Sequence, residues 1–182
     1  SHNLGVAPEM MWVKSRSHAR QWVTYDATNG ATGRMNLDDD GPWGSSSSYW
    51  NNTAPTDSVF TVGNQYDVNS SLGYTYIAYL FATLAGKSKV GSYTGNGSSQ
   101  TINCGFSSGA RFILVKRTDS TGDWYVWDTE RGIVAGNDPY LLLNSRDAEV
   151  TSDDSIDPDS SGFIVNQVAA TNINVSSAEY IF

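Results

Sequence analysis

The sequence predicts an all-β protein made of two tandem antiparallel β-sandwich modules of jelly-roll or concanavalin-like type. Short runs rich in aromatic and β-branched residues recur along the 182 residues, and the turns between them are built from Gly, Asn, Asp and Ser. No segment keeps a helical period over three turns. The stretch Phe112 to Gly132, FILVKRTDSTGDWYVWDTERG, also has a blurred second copy at Met11 to Gly30, MWVKSRSHARQWVTYDATNG. Val115-Lys116 lies over Val13-Lys14, Trp124 over Trp22, Asp128 over Asp26 and Gly132 over Gly30, each 102 residues apart. A period that long implies a duplicated domain rather than a short structural repeat.

The first module is expected over 1–86, with strands at Met10 to Lys14, Gln21 to Tyr25, Arg34 to Leu37, Val59 to Val62 and Tyr74 to Phe81. The second is expected over 87–182, with strands at Lys89 to Tyr93, Gln100 to Cys104, Arg111 to Lys116, Trp124 to Trp127, Tyr140 to Leu143, Gly162 to Val165 and Glu179 to Phe182. Lys89 to Ile102 reads as a hairpin around Gly95-Asn96-Gly97 and has no counterpart ahead of Asn3. Tyr180-Ile181-Phe182 lies over Tyr76-Ile77-Ala78, while the first copy continues through Phe81. The first copy is therefore expected to lack its opening hairpin and the second to have its last strand cut short, as in a piece of a longer array.

Within the repeated block, alternation sends Trp124 and Val126 to one face of a strand and Tyr125 and Trp127 to the other. Asp128 and Asp26 then end their strands. A carboxylate there accepts hydrogen bonds from the following turn, and Gly132 or Gly30 supplies a left-handed conformation. Trp22, Asp26, Gly30, Trp124, Asp128 and Gly132 are thus read as a structural motif. An acid–base pair of Asp128 with Glu130 is the competing reading, but Thr28 stands where the other copy would need the second carboxylate, so no catalytic residue is assigned.

Composition excludes several classes of function. A net charge of −8 disfavours nucleic acid and anionic membranes as partners. Hydrophobic residues are 39% of the chain and Trp and Tyr contribute 16 side chains, enough for cores without metals or disulfides. The single cysteine, Cys104, reads as a buried core residue. His2 and His18 lack ligand spacing, and no phosphate loop or serine elbow is present. No cofactor is expected. Structural calcium is a lesser alternative to plain acidic turns at Asp38, Asp39 and Asp40 and at Asp153, Asp154, Asp157 and Asp159.

The segment Asp38 to Asn52, DDDGPWGSSSSYWNN, escapes the strand pattern and carries aromatics in a polar, Gly- and Ser-rich context. The other copy has an acidic stretch without aromatics there, Asn144 to Ser161. Trp43, Tyr49, Trp50 and Asn51 are the candidate ligand-binding residues, the rings stacking on sugar faces and the amide meeting hydroxyls.

The block VKRTDSTGDWYVWDTERG with the following YLLLNS, and NLGVAPEMMWVKSRS in the first copy, resemble repeats found in virion proteins of tailed bacteriophages, particularly tail fibres and surface appendages of marine phages. The resemblance covers nearly the whole chain and carries no catalytic residue. It implies a module on the virion surface, repeated along a larger protein, assembled with other virion subunits as a homo-oligomer such as a trimer, or decorating the capsid. Two functions follow: a structural module with host-surface glycan binding, and a pure assembly module without a ligand. A polysaccharide depolymerase is the distant third.

Overall fold

Alternation builds the first sheet. In the computed structural model, which describes residues 1–182, β1 (Met10–Ser15) turns Met11 and Val13 into a core and presents Trp12 and Lys14 on the other face. It pairs antiparallel with β2 (Trp22–Asp26) and with β5 (Tyr76–Phe81), while β3 (Gly33–Asn36) and β4 (Gly44–Ser45) extend the sheet beyond β2. The order is β4-β3-β2-β1-β5, so β5 is an edge strand. Met11, Val13, Val23 and Tyr25 pack with Tyr49, Trp50 and Val68. Tyr49 and Trp50 come from one helical turn, α1 (Ser47–Trp50), which starts at Ser46, whose hydroxyl accepts from Ser48 N–H, and stops at Asn51 in the left-handed conformation at φ 53°. These elements lie in one unit, Ser1–Thr83.

The second unit, Leu84–Phe182, has two sheets. The larger has the order β10-β9-β8-β13-β6, from β6 (Ser92–Thr94), β8 (Phe112–Arg117), β9 (Trp124–Asp128), β10 (Leu141–Leu142) and β13 (Glu179–Ile181). The smaller has the order β11-β12-β7, from β7 (Gln100–Asn103), β11 (Ile156–Asp159) and β12 (Gly162–Val165). All pairs are antiparallel. Val115, Tyr125, Trp127, Tyr93 and Tyr180 from the larger sheet meet Ile102, Ile156, Phe163 and Val165 from the smaller one in a single core, which makes this unit sandwich-like. Tyr93 and Tyr180 stack at 4.9 Å between centroids. Gly162 permits the close approach of β12 to β7, because a Cβ there would lie 2.0 Å from Ile102 O.

The chain is therefore all-β with three antiparallel sheets. Three expectations fail for physical reasons. Lys89 to Ile102, read as a hairpin, gives β6 to the larger sheet and β7 to the smaller one, because each strand pairs with a distant partner instead of with the other. Val59 to Val62 joins no sheet, since no strand lies alongside to pair with it. The acidic stretch Asn144 to Ser161, expected to be a loop, holds β11, an edge strand that accommodates Pro158 where a central strand would not. No helix is long and apolar enough to cross a membrane.

Candidate functional site

The aromatic loop does not form the exposed stacking platform expected of it. Trp50 is fully buried and Tyr49 nearly so; both belong to the first unit's core, with Trp50 edge-on to Tyr25 at 5.8 Å. Trp43 is half-buried and lies so close to Gly33 that a Cβ there would sit 2.4 Å from its ring. Asn51 alone is exposed, as the cap residue of α1. The assignment of Tyr49 and Trp50 as ligand-facing is thus corrected: burying two large rings under a five-stranded sheet outweighs the polar character of their sequence neighbours.

Aromatic rings do reach solvent elsewhere in the first unit. Lys14, Ala19, Arg20, Gln21 and Asp67 line an open depression of about 530 Å³. The Arg20 guanidinium lies 5.6 Å from the Tyr66 ring centroid and 5.8 Å from that of Tyr74, and His18 stacks on Tyr74 at 3.5 Å. Tyr66 is 48% exposed. Lys14 also shares a sheet face with Trp22, whose ring stacks on Tyr79 at 6.2 Å. Planar rings beside a carboxylate, an amide and two cations suit a neutral polyhydroxylated ligand. Sequence reasoning missed this cluster because its members are spread from Lys14 to Tyr79 and only strand pairing gathers them.

The two strand-ending aspartates are occupied by their turns. Asp26 Oδ1 accepts from Asn29 N–H at 2.8 Å and Asn29 Nδ2 at 2.9 Å, and Gly30 follows at φ 79°. Burial pushes the Asp26 carboxyl up against these bonds. Asp128 Oδ1 accepts from Glu130 and Arg131 N–H, both at 3.0 Å, and Gly132 follows at φ 124°. The Arg131 side chain bridges Asp128 and Glu149. With Glu130 and Leu141 these residues line a second open depression of about 450 Å³, in which the Asp128 carboxylate is already paired. Trp22 is half-buried and Trp124 fully buried.

Most of the acidic runs are likewise engaged. Asp38 Oδ1 accepts from Trp22 N–H, Asp39 from Gly41 N–H and Asn36 Nδ2, and Asp159 from Ser161. Asp157 accepts from Gly136 N–H and from Asn166 Nδ2. No three His, Cys, Asp or Glu side chains come together as a metal-ligand set.

Two carboxylates stand apart. Asp138 and Asp153 are buried, at 0% and 4% exposure, and the Asp138 N–H donates to Asp153 O at 2.6 Å. Asp138 Oδ1 accepts from Val134 N–H at 2.7 Å, whereas Asp138 Oδ2 and Asp153 Oδ1 have no partner. Burial, reinforced by Asp157, Asp154 and Asp153, pushes the Asp138 carboxyl up to about 7.

Cys104 is buried, and burial raises its thiol to about 11. A further hub that sequence reasoning missed is Asn174, fully buried. Its Nδ2 donates to Asn96 Oδ1, Ser98 O and Val165 O, and its Oδ1 accepts from Asn96 N–H and Gln100 Nε2. It ties the β6–β7 turn to the rest of the unit.

The sheets and the occupied turns define an all-β domain whose most regular polar groups hold turns. The whole chain, residues 1–182, matches the model of one family, described as Domain of unknown function (DUF7483), and belongs to it. No curated protein and no solved structure matches it.

Proposed function

We propose that this chain is a pair of copies of one β-sandwich module of jelly-roll type and serves as a structural building block of a tailed-bacteriophage virion, in a tail fibre or other surface appendage. The observation that carries the first half is the recurrence of individual bonds at corresponding positions of the two copies. Lys14 Nζ donates to Arg20 O at 2.7 Å and Lys116 Nζ to Gly122 O at 2.6 Å. Trp22 N–H donates to Asp38 Oδ1 and Trp124 N–H to Asn144 Oδ1; Leu37 N–H donates to Trp22 O and Leu143 N–H to Trp124 O. Ser15 faces Tyr76 across one ladder and Arg117 faces Tyr180 across the other. Sequence drift conserves core character readily, but it does not create the same side-chain bond twice at matched positions. The virion assignment rests on the resemblance of VKRTDSTGDWYVWDTERG and NLGVAPEMMWVKSRS to phage repeats. The copies are taken to work within a homo-oligomer among other virion subunits on the particle surface. Proteomic mass spectrometry of purified particles of a phage that encodes the chain tests this: peptides from Phe112 to Gly132 are expected at structural-protein abundance, and their presence only in the infected-cell lysate would overturn the assignment.

Glycan binding is a second reading, favoured by the exposed Tyr66 ring beside Arg20, Gln21 and Asp67 rather than by the buried loop aromatics. A glycan array probed with the wild type and with Tyr66→Ala tests it. Binding lost in the variant supports the site, and equal binding removes it.

A further inference from the structure

Strand β5 is a six-residue edge with nothing to guard it: Tyr76-Ile77-Ala78-Tyr79-Leu80-Phe81 contains no charge and no proline. Such an edge is a template for another strand. Its ladder to β1 shows which backbone groups are free. Glu9 N–H donates to Phe81 O and Arg16 N–H to Thr75 O, so the odd-numbered residues face β1 and the N–H and C=O of Tyr76, Ala78 and Leu80 face outward. The corresponding edge in the second unit is closed. There β13 has β8 on one side and β6 on the other, with Gly91 and Phe182 exchanging both backbone bonds and Tyr93 opposite Tyr180. Tyr180 is 1% exposed under that cover, whereas Tyr76, its counterpart by ladder position, is only half-buried.

We propose that the outer edge of β5 is a strand-acceptor site, and that its occupant is a strand of the β6 kind from another module of the same repeat: an aromatic residue at the centre, flanked by small polar residues, running antiparallel to β5. The inference rests on the reading of the two units as copies. Main-chain bonds supply the affinity, and the central ring covers Tyr76 as Tyr93 covers Tyr180. The site takes a strand like β6 alone, without the β7 that follows it in the second unit. Val59 stands where the second unit has Gly162, and a side chain there would collide with a strand seated like β7, since a Cβ at Gly162 meets Ile102 O at 2.0 Å.

The test uses the full chain and a synthetic peptide of Lys89 to Gly97, KVGSYTGNG, which holds β6 without β7. Saturating peptide should slow amide exchange at least about tenfold at Tyr76, Ala78 and Leu80, and leave Ile77 and Tyr79, already bonded to β1, unchanged. A peptide carrying Tyr93→Pro should have no effect. The same peptide joined ahead of Ser1 through a flexible linker removes the demand on affinity and should give the same alternating pattern. Unchanged exchange at the three amides in the linked protein would overturn the proposal. So would self-association of the unmodified chain, abolished by Ala78→Pro, because the occupant would then be a second β5. Either failure leaves the virion assignment intact, since particle composition tests that separately.

Discussion

Replacing Asp138 by Asn should make the second unit more stable above neutral pH and flatten its pH dependence. The carboxyl has one bond, from Val134 N–H to Oδ1, and Oδ2 is buried without a partner. Its ordinary value of 3.8 is raised to about 7. The unfolded chain therefore gives up this proton first, and between about pH 4 and pH 7 the folded state holds more protons than the unfolded one. Stability from this group is complete below the unfolded value and is lost as pH rises through the folded one. The slope is limited to about 1.4 kcal/mol per pH unit, and after a discount for screening the loss by pH 8 is about 1–3 kcal/mol. Asn keeps the acceptor for Val134 N–H and carries no charge. Urea titrations at pH 5.5 and pH 8, read from the indole signals of Trp124 and Trp127, check this. Asp154, also raised, contributes with the same sign, and Asp119, lowered chiefly by its hydrogen bond with Arg117, with the opposite sign. A variant with the wild-type slope, or one less stable than wild type at pH 8, would refute the account.

Trp50→Ala should cost the first unit about 3–5 kcal/mol, read by denaturant titration, because it empties a fully buried site against Tyr25; Trp50→Phe should cost less, as it also removes an indole N–H without a partner. Asn174→Ala should destabilise the second unit by about 2–4 kcal/mol and raise amide exchange at Asn96 and Gly97 first, since those turn amides lose the anchor or its neighbour. Cys104 should react with a thiol reagent at pH 8 only as fast as the second unit opens, its thiol sitting near 11; reaction at the rate of a free thiol would show the site to be open.

Much of the architecture was legible locally. Alternation located Met10–Ser15, Trp22–Asp26, Phe112–Arg117 and Gly162–Val165 to within a residue or two, because a half-buried strand imposes period two on its own sequence. Conformation also left local marks at Gly30 and Gly132, which follow a carboxylate that caps the turn. What alternation could not show was whether a strand finds a partner. Val59 to Val62 has the composition of a strand and forms none, while Ile156–Asp159, acidic and interrupted by proline, is held in a ladder by β12.

The candidate sites divide along the same line. Sequence alone determined the all-β class, the block that recurs after 102 residues, and the absence of a charge pattern suited to nucleic acid, because each depends on residue types and spacings along the chain. Tertiary structure alone decided which aromatics are buried. Trp50 sits in a polar stretch yet fills a core, while Tyr66, in an equally unremarkable one, meets solvent beside Arg20. Burial belongs to what packs across the fold. So do the raised pKa of Asp138, created by burial and then by carboxylates fifteen and more residues away, and the open edge of β5, which exists only because one side of that strand has a partner and the other has none.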